Sequence, residues 1–140
     1  MLHLYSKGCE YAFRALMRVS RRECREGFSV KAVCRKARLP ESFTRKAFQS
    51  LVKSRVLAAK RGPGGGYRFM KDPRKVPILR IIHAIDGRDA FDKCVLKDSK
   101  CDNGNGFCSL HPMWIKTKAG LIREFQQSSV AELIIREEDK

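Results

Sequence analysis

Val56-Leu57-Ala58-Ala59-Lys60-Arg61-Gly62-Pro63-Gly64-Gly65-Gly66-Tyr67-Arg68-Phe69-Met70 is the stretch on which the fold turns. Two short runs suited to extended backbone enclose five residues that are all Gly or Pro, a composition that predicts strand, tight turn, strand. The tip of that hairpin carries Lys60 and Arg61, so a positive charge is presented where the chain reverses. What lies upstream gives the hairpin its meaning.

Working outward toward the N-terminus, Thr44, Ala47, Phe48 and Leu51 recur at helical spacing and predict a helix over about 41–54 that turns them inward. Ser42, Arg45, Lys46, Gln49 and Lys53 are then left on a polar, basic outer face rich in hydrogen-bond donors. Before it, Ser29 stands ahead of Val30, Val33, Cys34 and Ala37, the pattern of a short capped helix. Arg38-Leu39-Pro40 separates the two, because a residue before proline avoids the helical region and proline suits the start of the next helix. Two short helices joined by a tight turn and followed by a basic-tipped hairpin compose a winged helix-turn-helix. A further helix over about 7–21 precedes them, with Ser6 as its cap and Cys9, Ala12, Phe13, Leu16 and Met17 as its apolar stripe. The charged stretch from Arg21 to Gly27 reads as a loop.

Downstream, Val76-Pro77 opens a helix whose Ile78, Ile81, Ile82 and Ile85 form an apolar stripe ending at Gly87, expected to pack under the wing. From Gly87 to His111 no periodicity is sustained, and the segment is too long for an ordinary connection. Pro112 then starts a long helix carrying Trp114, Ile115, Ala119, Ile122 and Phe125, and Ser129-Val130-Ala131-Glu132 has the spacing of a capping box for a short last helix. A lone apolar helix needs a covering surface, and its copy in a second subunit is the simplest one. The fold class is therefore mainly α with a small β-hairpin wing: a winged helix-turn-helix over 1–75, then a segment over 76–140 that ends in dimerisation helices.

Charge agrees with that division. The chain has 140 residues and a formal charge of +15; residues 1–75 hold 20 Lys+Arg against 5 Asp+Glu, whereas residues 76–140 hold 10 of each. So one-sided an excess points to a polyanion, with nucleic acid ahead of an anionic membrane surface. No run has the length of a membrane span and the N-terminus lacks a signal-peptide core, so a cytoplasmic protein with no membrane partner is expected. Enzyme chemistry finds no footing: there is no phosphate loop, no Ser-His-Asp set and no C-x-x-C pair, and an electron carrier built on the cysteines has no use for charge on one side.

Three segments together resemble the Rrf-two superfamily, the winged-helix regulators typified by IscR, NsrR, RirA and CymR. They are Ser6-Lys7-Gly8-Cys9-Glu10-Tyr11-Ala12-Phe13-Arg14-Ala15-Leu16, then Arg61-Gly62-Pro63-Gly64-Gly65-Gly66-Tyr67, then Cys94, Cys101 and Cys108 ahead of a long helix. The resemblance implies a homodimer on a palindromic double-stranded DNA operator, with RNA polymerase a candidate further partner. It implies that the helix over 41–54 enters the major groove and that the wing reaches the minor groove. Ser42, Phe43, Thr44, Arg45, Lys46, Gln49, Lys60, Arg61, Gly64 and Tyr67 are the candidate DNA-contacting residues. Where iron-sulfur members carry Ser-Tyr-Leu-Glu, this chain has Ser42-Phe43-Thr44-Arg45; arginine favours guanine O6 and N7, whereas a carboxylate accepts from cytosine N4. The helix also ends on Ser54-Arg55, where a glycine cap is common.

The resemblance further implies an iron-sulfur cluster, 4Fe-4S or 2Fe-2S, on Cys94, Cys101 and Cys108, which controls DNA affinity in response to iron, redox state, oxygen or nitric oxide. Thiolates suit zinc as well as iron-sulfur clusters, but zinc sites usually pair their cysteines closely, and here six residues separate each neighbour from the next. A zinc-stabilised or metal-free regulator is the alternative. His111 and Glu10 are candidates for the remaining ligand; His111 equally suits capping the long helix, and Glu10 equally suits pairing with a surface arginine. Cys9 and Cys34 lie on apolar stripes and read as core residues, while Cys24 has no partner in sequence.

Overall fold

The structure is a computed structural model, and it describes residues 4–62, 66–93 and 109–134. Six helices and one hairpin follow in the order α1 (Lys7–Leu16), α2 (Arg21–Glu26), α3 (Val30–Ala37), α4 (Glu41–Lys53), β1 (Leu57–Lys60), β2 (Gly66–Phe69), α5 (Ile78–Asp86) and α6 (His111–Gln127). The mainly helical architecture with a small hairpin is the expected one. Short 3-10 turns lie at Pro73–Lys75 and Val130–Glu132.

Helix α1 begins as its sequence dictates, the Cys9 N–H donating to Ser6 Oγ at 3.2 Å. It ends at Leu16 rather than near residue 21, because the chain turns to place Val19 fully in the core. The stretch expected to be a loop after it is the helix α2. Its signal was present in Ser20-Arg21-Arg22-Glu23, the spacing of a capping box: Ser20 Oγ accepts from the Glu23 N–H and donates to the Glu23 carboxylate, both at 3.2 Å, so the second bond is made by the hydroxyl rather than by the Ser20 backbone. That helix turns Cys24 into the core, only 2% exposed.

Ser29 caps α3 by accepting from the Ala32 N–H at 3.3 Å, and α3 hands over to α4 through Arg38 in the left-handed region, φ 56°, and the buried Leu39. Helix α4 is the hub of the fold, packed against α1, α3, α5 and β1. Its buried face is Thr44, Ala47, Phe48 and Leu51, the four residues whose spacing predicted it. At its other end Arg55 adopts φ 61° in the place of the missing glycine, and Arg80 Nη2 donates to the Ser54 carbonyl at 3.0 Å.

In the antiparallel hairpin Leu57 faces Phe69 and Lys60 faces Gly66. Phe28 adds a bridge to β2, its N–H donating to the Tyr67 carbonyl at 2.8 Å and its carbonyl accepting from the Tyr67 N–H at 2.9 Å. Gly66 explains itself here: a Cβ on it would lie 2.0 Å from the Phe28 carbonyl oxygen, so its role is close approach of two backbones as well as turning. Helix α5 stops at Gly87, φ 90°, as its pattern foretold. It packs chiefly on α1, α4 and α6 rather than under the wing, since Leu79, Ile81 and Ile82 fill the space beneath α4.

The last turn is a 3-10 turn, and Ser129 makes no capping bond with its side chain, contrary to the capping-box expectation. Backbone pairing does that work: the Ile78 N–H donates to the Ser128 carbonyl at 2.9 Å and the Val130 N–H to the Val76 carbonyl at 2.8 Å. One buried cluster therefore runs from Cys9 through Phe48 and Ile82 to Val130 and Ile134.

Candidate nucleic-acid interface

Because four elements cover one side of α4, its opposite side is left to solvent. Ser42, Arg45, Lys46 and Gln49 stand exposed there and line a shallow depression with Pro40 and Glu41. Arg61, also exposed, follows β1 at the approach to the hairpin turn. Among the described residues Lys46 and Arg61 have no ion-pair partner, so their charge is available to an anion.

Arg45 is the organised member of this row. Its Nη2 donates to Glu41 Oε1 at 2.7 Å, one helical turn back. Its pKa lies above the usual arginine value, chiefly through the Glu41 bond with Tyr67 adding to it.

Four other candidates are placed differently from a simple contact residue. Thr44 is fully buried and its hydroxyl donates to the Pro40 carbonyl at 2.8 Å, so it secures the first turn of α4 and does not face the groove. Tyr67 is 7% exposed, its ring set against Phe48 at 5.6 Å and Phe28 at 6.4 Å, so it supports the face from beneath. Phe43 is half exposed but meets Tyr11 edge to face at 5.5 Å, tying α4 to α1. Lys60 turns its Nζ toward the Glu26 carbonyl at 3.3 Å, fastening β1 to the C-terminal end of α2. Gly64 lies outside the described residues.

The candidate metal ligands divide in the same way. Cys94, Cys101 and Cys108 lie outside the described residues. Among the described residues no group of three potential ligands comes together. Glu10 sits on α1 with its carboxylate 3.1 Å from Lys7 Nζ and 4.0 Å from Arg14, exposed pairs that hold it only weakly. His111 is the first residue of α6. Trp114, one turn further on, is buried and donates from its indole N–H to the Lys93 carbonyl at 3.1 Å. The residue before Cys94 and the residues just after Cys108 are thereby gathered at one end of α6.

Cys9, Cys24 and Cys34 belong to the core instead, each at most 2% exposed. Burial pushes all three thiols up, Cys24 to about 12, so they stay protonated and unreactive at neutral pH. Cys24 is the one that sequence reasoning left unassigned, because α2 had been read as a loop.

With this geometry in hand, comparison with known proteins is decisive for the family. The family described as "Rrf2: Iron-dependent Transcriptional regulator" matches residues 5–136. The chain belongs to the Rrf2 family. Among its relatives, the HTH-type transcriptional regulator IscR of Sodalis glossinidius is 26% identical over 137 residues, 98% of this chain and 81% of that protein. The IscR of Aliivibrio salmonicida is 27% identical over 137 residues, 98% of this chain and 80% of the relative. The solved structure of CymR, the global cysteine regulator of B. subtilis, superposes with a TM-score of 0.71 at 19% identity, covering 95% of this chain and 96% of that one. T. potens IscR superposes with a TM-score of 0.67 at 21% identity, covering 91% and 83%. This Rrf2 chain is thus a winged-helix DNA-binding transcriptional regulator, in a family of regulators and not of enzymes. None of its described helices is long and apolar enough to cross a membrane.

Proposed function

We propose that this Rrf2 protein is a cytoplasmic homodimeric regulator that recognises a palindromic operator, its affinity governed by an iron-sulfur cluster on Cys94, Cys101 and Cys108. The observation that carries the DNA reading is the burial of Thr44, Ala47, Phe48 and Leu51, which turns Ser42, Arg45, Lys46 and Gln49 outward on a helix backed by four elements. In this reading α4 enters the major groove, Lys46 and Arg61 neutralise phosphates or line the minor groove, and Ser42, Arg45 and Gln49 meet base edges. Two-fold symmetry comes from α6, whose Met113 and Ile115 are 53% and 37% exposed and need a second subunit to cover them.

The donor set fits a cluster. Three cysteines from outside the apolar stripes are supplemented by His111 or by Glu10 of the partner subunit or of the same one, and the anchoring of Lys93 on Trp114 brings both ends of the cysteine segment to the start of α6. When bound, such a cluster supplies a group whose presence depends on iron and on redox conditions. The chain's own part is to hold its ligands beside α6, while the Ser6 backbone N–H and hydroxyl, both donating to Asp86, tie α1 to the end of α5.

Anaerobic purification followed by visible absorption and iron and sulfide assays, on the wild type and on Cys101→Ala, tests the cofactor. A coloured protein whose band disappears in the variant is expected; a colourless protein with stoichiometric zinc, or with no metal, overturns the cluster and leaves the alternative regulator. DNA titrations at several salt concentrations test the interface, with log affinity expected to fall by about 0.9 per phosphate contacted for each unit of log salt. Arg61→Ala and Arg45→Ala should weaken binding without changing absorbance, and unchanged binding in both would defeat the docking.

A further inference from the structure

Away from α4 and the hairpin turn, a hollow of about 670 Å³ opens where three parts of the chain meet. Helix α2 forms one wall, the end of β2 with the 3-10 turn after it a second, and the turn that follows α6 the third. The floor is apolar: Cys24, Phe69 and Ile134 are each at most 6% exposed, and Ala131 and the half-exposed Met70 extend it. The rim is basic. Arg21 and Arg25 stand one turn apart on α2 and Lys71 follows β2, all three exposed and, among the described residues, without an ion-pair partner. A fourth cation, Arg74, is held by Asp72 at 2.8 Å, and that pair cancels the one carboxylate in the lining. Like charges one turn apart on a helix repel, so Arg21 and Arg25 destabilise α2 slightly until an anion sits beside them.

We propose that this hollow is a binding site for a small amphipathic anion, an acidic head on an apolar body, with Arg21, Arg25 and Lys71 taking the head and Met70, Ala131 and Ile134 the body. Its size lies in the range of small-molecule sites, which are built from apolar lining with a few convergent polar groups. A phosphodiester backbone matches the rim but has nothing to place on the floor, and no wall belongs to α4. The segment after α6 is fastened to the chain ahead of α5 by the Val130 N–H, which donates to the Val76 carbonyl at 2.8 Å. An occupant therefore touches both the wing strand and the C-terminal half, and none of this depends on the cluster.

Decanoate is the probe, titrated into the whole chain by calorimetry and by NMR of isotope-labelled methionine methyls. Saturable binding with a Kd of about 1 mM or tighter is expected. The Met70 methyl should shift while Met17 and Met113, exposed elsewhere, stay still. Decanol, which lacks the charge, and acetate, which lacks the apolar body, should each bind at least about tenfold more weakly. Arg21→Gln combined with Arg25→Gln should weaken decanoate about tenfold. Arg22→Gln, on the same helix but paired with Glu26 and outside the hollow, should not. No saturation, equal affinity for decanol, unchanged affinity in the double variant, or equal shifts at Met17 and Met113 would each overturn the site. So would displacement of decanoate by a random-sequence duplex that the double variant binds more weakly, which would make the rim a phosphate contact. Binding seen only once residues 135–140 are removed would overturn it too, giving the hollow to the acidic run Glu137-Glu138-Asp139.

Discussion

Helices α4 and α6 put their apolar residues to opposite uses. In thirteen residues α4 buries four side chains against four neighbouring elements, whereas α6 buries only Trp114 in seventeen. A helix satisfied on one side within its own chain can offer the other side as a rigid reading head; α6, by contrast, leaves Met113 and Ile115 exposed. The cysteines repeat the contrast, for those at 9, 24 and 34 are spent on packing and those at 94, 101 and 108 fall in a stretch with little apolar content to bury.

The largest effect should come from the packed side. Phe48→Ala removes a fully buried ring that touches both Phe28 and Tyr67, and should cost about 3–5 kcal/mol in denaturant unfolding. A smaller loss would mean that α4 is less rigidly seated than its burial implies. Gly66→Ala forces the Phe28 and Tyr67 backbones apart and should cost about 3 kcal/mol, read as a lowered Tm.

On the uncovered side, Met113→Glu combined with Ile115→Glu should leave far-ultraviolet circular dichroism intact while raising the dimer dissociation constant at least about tenfold by sedimentation. Unchanged mass would erase the contrast. The thiols supply a pH test. Burial raises Cys24 from its ordinary value near 9 to about 12, so the fold favours the neutral thiol. The stability this contributes is fully present below pH 9 and is lost as pH rises toward 12. Unfolding midpoints measured from pH 8 to 11 should therefore fall more steeply in the wild type than in Cys24→Ala. The smallest effect is expected at the end of α4, where Arg55→Gly relieves a left-handed backbone, φ 61°, and should raise stability by about 0.5–1 kcal/mol at most.

Much of α4 was legible because burial leaves a period in sequence: Thr44, Ala47, Phe48 and Leu51 are inward by spacing, and by elimination Ser42, Arg45, Lys46 and Gln49 are outward. Caps were legible at Ser6 and Ser29 for the same local reason. The six-residue α2 was missed although its Ser20 and Glu23 box was in view, since a single charged turn shows no periodicity. Thr44 and Phe43 were assigned to the DNA face by motif position, and the fold sends one to the Pro40 carbonyl and the other partly to Tyr11.

Sequence alone determined the class of the protein: the segregated charge, the two-helix pattern, the glycine turn and the family resemblance all follow from composition and from contacts between near neighbours in the chain. Only the tertiary structure decided which of the candidate residues face outward and which are held within the fold. Tyr67 is separated from its partner Phe28 by two helices and a strand, and Lys60 from Glu26 by two helices. No local spacing encodes such pairs, because they arise where elements distant in sequence are packed together to bury a shared core.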